Sequence, residues 1–361
     1  MPIMISSSDI SVVVQGPVRK ETEECLASVR RHLAGSEIIF STWVEEKTAG
    51  LEFDRLVIND MPSACAQNIR TGAVNNLNRL IRSTKAGIVL CERPYILKIR
   101  SDLILDSPRF LDTFETFPER GLRSVFSKKV LVPVVYSRTG HRGHRTPFHV
   151  SDWAAFGCRD DLRRFYLGVE EVSEPQFSQY FLGRENETPY GHTLFQMAPE
   201  QYQVWSLYQS CFDDVIMDDC SQNTEEINRA SDEFIVSNFI IAPYSDTGWR
   251  LPKYEFSIDE FSIGQEYFEL WTKYIYELKY KKIIDLNYQI TDNVGLNIFR
   301  WRDAYEGLFR LIKHVNQLSQ AKKITKKMEQ IFIIPAIMIY AIFKLCRGIL
   351  EKDPQKNANR F

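Results

Sequence analysis

Short apolar runs, each closed by small or polar residues, alternate with amphipathic stretches through the first hundred residues. "DISVVVQGPV" predicts a first strand from Ile10 to Val14, stopped by Gln15-Gly16-Pro17. In "TEECLASVRRHLAG" the positions Thr22, Cys25, Leu26, Val29 and Leu33 recur at helical spacing, with Gly35 as the stop. Two further runs, "SEIIFSTW" and "FDRLVIND", predict strands that end in polar residues. Over residues 75–90, Leu77, Leu80, Ile81, Thr84 and Ile88 share one helical stripe, while Asn75, Asn78, Arg79 and Arg82 share another. "YILKIRSDLIL" at 95–105 then has the length and apolar character of a buried central strand. This succession predicts an α/β fold with a mainly parallel sheet flanked by helices.

Further along, "SVFSKKVLVPVVY" is strand-like and "SRTGHRGHRTPFHVSDWAAFG" reads as a loop rich in His, Arg and Gly. "CRDDLRRFYLGV" returns to helical spacing, and Pro199-Glu200 opens a helix in "APEQYQVWSLYQSCF". Residues 233–242, "EFIVSNFIIA", read as a late strand, and the chain from there to about residue 320 is aromatic and helical. No internal repeat or low-complexity tract interrupts it. The expected organisation is a sheet domain over 1–245, a helical C-terminal extension over 246–320 and a basic tail over 321–361.

Composition adds limits. The 361 residues are 44% hydrophobic and 25% charged, enough apolar material for a sizeable core. A net charge of −2 gives no reason to expect a polyanion, and no zinc-finger or RNA-binding pattern is present, so nucleic acid is not an expected partner. The seven cysteines are dispersed without a C-x-x-C pair, which suits reduced thiols in a cytoplasmic protein. The N-terminal residues lack the basic start and cleavage site of a signal peptide. The charge is uneven, however. Between Gln320 and Lys352 seven cations face Glu329 and Glu351, leaving +5 there and −7 on the rest. Within that tail "IFIIPAIMIYAIF" would form a helix of about 20 Å, short of the roughly 30 Å hydrocarbon core. A helix lying in the membrane interface, held by anionic lipid, fits the basic flanks; a buried core helix or a dimer contact are the alternatives.

Ligands of open parallel sheets sit outside the carboxyl ends of the strands. Gln15-Gly16-Pro17, Ser41-Thr42-Trp43 and Arg100-Ser101-Asp102 fall on that edge. A carboxylate there, Asp102, suits a Mg²⁺ or Mn²⁺ ion bridging two phosphates, and Arg100 suits the same diphosphate through paired hydrogen bonds. The alternative is a strand-end salt bridge between Arg100 and Asp102. Asn75 and its neighbours are poor helix formers, which points to amide contacts with a base or ribose, against a merely solvated helix face. The loop from His141 to Trp153 offers His149 as a further metal ligand and Asp152 as a base or an acceptor-binding group, against a basic surface loop. Glu200 is a second candidate base, or a first-turn carboxylate favoured by the helix dipole. No H-E-x-x-H, G-x-G-x-x-G, P-loop or G-x-S-x-G pattern is present, which argues against zinc-hydrolase, dinucleotide, NTPase and serine-hydrolase readings.

"ISVVVQGPV", "SEIIFSTW", "FDRLVIND", "NNLNRLIRSTKAGI", "YILKIRSDLIL", "HVSDWAAFG" and "PEQYQVW", in this order over residues 10–205, resemble the WavE lipopolysaccharide synthesis family of bacteria. The resemblance implies a glycosyltransferase of the A-type (GT-A-like, Rossmann-type) fold. Such an enzyme moves a sugar from a nucleotide-diphosphate donor to a lipopolysaccharide core or related surface glycan at the inner membrane. These enzymes commonly carry an Asp-x-Asp motif at the end of a central strand; here the matching positions are Arg100-Ser101-Asp102, with Arg in the first place. On this reading Gln15, Gly16 and Pro17 shape the loop under the nucleotide, Asn75 and Arg79 contact base or ribose, and Arg100 meets the diphosphate. Asp102 holds a metal or the donor sugar, while Asp152, then Glu200, are the candidate bases. A non-catalytic scaffold of the same fold and a nucleotidyl or phosphosugar transferase are the alternatives.

Overall fold

The computed structural model describes residues 5–62, 74–141, 143–190, 193–252 and 269–300. The chain divides into two units, Met1–Gln289 and Ile290–Phe361. Of the second, only residues 290–300 are described, where α9 (Asn293–Arg300) forms. The basic tail over 321–361, and residues 253–268 and 301–320 of the helical extension expected over 246–320, lie outside the described residues.

The first unit is built on a seven-stranded sheet. In chain order its elements begin with β1 (Ile10–Gln15), α1 (Thr22–His32), β2 (Glu37–Trp43), β3 (Arg55–Asn59), α2 (Leu77–Ile88) and β4 (Tyr95–Arg100). There follow β5 (Ile104–Leu105), α3 (Phe110–Thr113), β6 (Val130–Pro133), β7 (Gly140–His141), β8 (His144–Arg145), β9 (Ala154–Cys158), α4 (Arg159–Leu167) and α5 (Pro199–Gln209). The unit ends with α6 (Glu225–Asn238), β10 (Phe239–Ala242), α7 (Tyr244–Thr247), β11 (Trp249–Arg250) and α8 (Lys273–Ile283). The sheet order is β10-β6-β9-β4-β1-β2-β3. All neighbours run parallel except β9, which is antiparallel to both β4 and β6. The expected mainly parallel α/β sheet flanked by helices is therefore the fold.

Its core follows from strand composition. Every residue of β1 is buried, as parallel strands covered on both faces require. Helix α2 lies close over β1 because residue 87 is glycine: a Cβ there would sit 2.4 Å from Val13 Cγ1.

Two stretches depart from their sequence pattern. The loop expected to run through "HVSDWAAFG" ends in a strand, β9, of small residues with little intrinsic β-propensity. Packing overrides propensity there: Phe156 meets Phe110 and Phe114 edge-on at 4.8 and 4.9 Å, and a Cβ on Gly157 would strike Leu162 at 2.5 Å. Similarly, 233–242 is not one strand. Residues 233–238 are the last turns of α6, whose N-cap Thr224 accepts from the Ile227 amide, and only Phe239–Ala242 is strand. Ile227, Ala230, Ser231, Phe234, Ile235 and Asn238 are buried at helical spacing, a stripe that begins before the β-branched residues.

The five described cysteines, Cys25, Cys91, Cys158, Cys211 and Cys220, are free thiols. Among the described residues no helix is long and apolar enough to cross a membrane.

Candidate functional site

From β1 the chain winds outward through β2 and β3, then returns to place β4 on the other side of β1. The carboxyl ends of β1 and β4 thus flank the point where the winding reverses, the usual ligand crevice of open α/β sheets. Gln15 pairs with Arg100 across it. The two loops that follow are tied together: the Ser101 amide donates to the Gln15 carbonyl at 2.9 Å and the Ser101 hydroxyl donates to the Pro17 carbonyl at 2.7 Å. Gly16 has φ +122°, and a Cβ there would lie 3.1 Å from Ser101 Oγ. Only glycine fits this backbone without strain. The Gln15 side chain faces inward, accepting from the Ser83 hydroxyl at 2.8 Å.

On this lip Arg100 grips Asp102 with two parallel bonds, Nε to Oδ1 at 2.9 Å and Nη2 to Oδ2 at 2.8 Å. Such charge-assisted forks are the strongest common side-chain hydrogen bonds. A second cation, Arg19, places Nε 3.6 Å from Asp102 Oδ2. The Asp102 side chain is 3% exposed, against 24% for Arg100 and 43% for Arg19. The strand-end salt bridge considered from sequence is thus present, and it is a cluster of two cations around one carboxylate. The Arg100 guanidinium also lies 5.7 Å over the Trp153 ring, which packs on Tyr136 at 4.9 Å.

Because β9 is antiparallel, its start reaches this same edge. The Arg100 amide donates to the Trp153 carbonyl at 3.2 Å, which sets Asp152 beside the lip. Lys98, fully buried in β4, donates to the Asp152 carbonyl and stands 5.9 Å from the Tyr166 ring. Burial draws the Lys98 ammonium down to about 8, and the charge of Asp152 opposes that fall. Glu200, second residue of α5, completes the group. Burial, then the charge of Asp152, push its carboxyl up to about 8, while Arg138 and Arg100 pull the other way. Although half-buried by surface, Glu200 is densely surrounded by protein, which is why desolvation leads. The helix start is pinned to the preceding loop: Gln201 Nε2 donates to the Pro147 carbonyl at 2.9 Å and its Oε1 accepts from the Tyr190 hydroxyl at 3.1 Å.

The other candidates take different places. His149 is buried, its carbonyl accepts from the Arg138 amide at 3.1 Å, and its Nδ1 has no hydrogen-bond partner among the described residues. Burial and the nearby Arg138 hold its imidazole at about 3, hence neutral at physiological pH. Among the described residues no group of three or more His, Cys, Asp or Glu side chains is spaced to hold a metal ion.

Asn75 is 4% exposed; its amide donates to Glu174 Oε1 at 3.1 Å and Ser178 Oγ at 2.6 Å, and its oxygen accepts from the Leu77 amide. That amide clamps residues 174–178 onto the start of α2. Asn78 exchanges two bonds with the backbone of Val172, while Arg79 donates to Asn76 at 3.1 Å. The histidine-rich loop contains the β7-β8 hairpin, from which Arg145 pairs with Asp232 at 2.9 Å. Arg142 lies outside the described residues.

Four groups escaped the sequence reading: Arg19, Lys98, Arg138 and the Tyr136-Trp153 pair. Lys98 carried a signal, a cation inside an otherwise apolar strand. Tyr136 and Phe148 carry positive φ values of 64° and 57° on either side of the site, which no composition reveals.

A mainly parallel sheet with charged side chains at its reversal point defines the molecule as an α/β protein that gathers them where open sheets of this kind bind ligands. The WavE lipopolysaccharide synthesis family matches residues 10–300, and the chain belongs to that family. No curated protein matches the chain.

Proposed function

We propose that the protein is a glycosyltransferase that moves a sugar from a nucleotide-diphosphate donor to a hydroxyl of a lipopolysaccharide core or related surface glycan. One observation carries the reading: two arginines surround Asp102 on the sheet edge that the start of β9 reaches with Asp152, whose charge acts with burial to hold the Glu200 carboxyl at about 8. The first set suits a leaving diphosphate and the second an attacking hydroxyl. Membership of a lipopolysaccharide synthesis family supports the class of acceptor, and a parallel sheet with one antiparallel strand in its interior suits the A-type glycosyltransferase fold.

With Glu200 holding its own proton, Asp152 accepts the proton of the acceptor hydroxyl as that oxygen bonds to the anomeric carbon. The bond from that carbon to the diphosphate oxygen breaks, and the departing charge falls to the guanidiniums. Lys98 fixes the Asp152 backbone from below. For the basic tail over 321–361 the reading keeps a role at the inner-membrane surface, where a lipid-linked acceptor lies; liposome flotation of the full chain against one ending at Ala321 tests it, and equal flotation removes that role.

The test of the reaction is incubation of the full chain with a panel of nucleotide sugars and truncated lipopolysaccharide. Acceptor-dependent release of nucleoside diphosphate is expected. Release of pyrophosphate would indicate nucleotidyl transfer, and no turnover or binding would indicate a scaffold.

A further inference from the structure

We infer that the lip binds a nucleoside diphosphate without a divalent cation, Arg19 and Arg100 supplying the positive charge and Asp102 serving as their positioning residue. The inference rests on the glycosyltransferase reading for the identity of the ligand, and it assigns to Arg19 a role that no motif marks.

A Mg²⁺ or Mn²⁺ ion needs oxygen ligands with lone pairs to give. The one carboxylate at the expected position has both oxygens engaged, Oδ1 by Arg100 Nε and Oδ2 by Arg100 Nη2, with Arg19 Nε close to Oδ2 as well. A metal would have to displace a bidentate guanidinium from an almost fully buried carboxylate and then sit against two like charges. His149 does not repair the donor set, since no metal-spaced cluster of three such side chains forms among the described residues. The group a metal-dependent site requires therefore does not fit here.

The charges point the same way. A divalent cation on two carboxylates is neutral overall, whereas two arginines and one aspartate leave about one positive charge facing the crevice. Buried Lys98 adds to it from behind the strand. Arg19 has the geometry to use that charge. Its Nε turns toward Asp102 while its two terminal nitrogens meet no partner among the described residues, and its side chain remains 43% exposed. It also stands two residues after Pro17, whose carbonyl is held by Ser101, so that loop sets its position. A planar fork anchored on one edge presents its other donors to a phosphate in fixed geometry.

Calorimetric titration of UDP, GDP, ADP and CDP into the full chain, in EDTA or in excess Mn²⁺, tests this with wild type, Arg19→Gln and Arg19→Lys. Arg19 is a surface residue, so these variants leave the core intact. We expect one nucleotide to bind equally well in EDTA and Mn²⁺, and Arg19→Gln to weaken it at least about tenfold in both, with Arg19→Lys between them. Binding that requires Mn²⁺, or an Arg19→Gln variant with undiminished affinity, overturns the inference and leaves the glycosyltransferase reading standing. Binding of none of the nucleotides under either condition overturns both.

Discussion

Two sets of carboxylates share one edge of the sheet, and their surroundings are opposite. Asp102 is held by Arg100 at 2.8 and 2.9 Å with Arg19 beside it. Asp152 and Glu200 face each other's charge, and Glu200 rises to about 8 in consequence of burial and that repulsion. A carboxylate gripped by guanidiniums fixes where the cations point. A pair that cannot comfortably ionise together holds a proton in the physiological range and is suited to acid-base work. The same residue type thus does two jobs, separated by its neighbours alone.

The largest expected effect breaks the acid-base half. Asp152→Asn removes the proton acceptor and should lower kcat/KM for transfer by about 10²–10⁴-fold; a loss of less than tenfold would place the base elsewhere. Next comes Lys98→Met, which strips the buried donor from the Asp152 carbonyl. Transfer should fall about tenfold, the order of one charge-assisted hydrogen bond of about 1.5–3 kcal/mol, with the circular dichroism of the fold unchanged. On the other half, Gly16→Ala forces a side chain into φ +122° against Ser101. It should cost about 1–3 kcal/mol in denaturant unfolding and loosen the lip.

The smallest effect on rate sharpens the comparison most. Glu200 is assigned the proton of the pair, so Glu200→Gln, which mimics the protonated side chain, should keep transfer at neutral pH within about tenfold of wild type. Its stability should be pH-dependent relative to wild type. In the unfolded chain the carboxyl ionises near its ordinary value, whereas in the fold it holds its proton to about 8. The native state therefore binds more protons between those values, and wild type loses stability as pH rises through them. Below the ordinary value the two proteins should match on this count; above pH 8 the Gln variant should hold its full advantage, read as a rise in Tm. A Gln variant that loses ground as pH rises would reverse the assignment.

Much of this was legible in the chain. The alternation of apolar runs and amphipathic stretches gives β1, α1, β2, β3, α2 and β4, because parallel strands buried on both faces read as unbroken apolar segments. Given that order, the polar residues after β1 and β4 had to meet. What was not legible depends on contacts distant in sequence. Strand β9 forms because Phe156 finds Phe110 and Phe114, and the chain there has no strand composition. The place of Asp152 depends on that antiparallel strand, and the place of Glu200 on Gln201 reaching Pro147. Asn75 fits a helix poorly, as its residue type shows, but that its amide holds residues 174–178 depends on a partner about a hundred residues away.

If the sheet edge divides donor binding from proton transfer, nucleoside diphosphate affinity measured for Arg100→Gln and Asp152→Asn side by side separates the two. Arg100→Gln should lose affinity by at least about tenfold, as loss of a bidentate cation implies, while Asp152→Asn should bind as wild type does and fail only in transfer. Equal losses in the two variants, or full affinity in Arg100→Gln, would contradict that division.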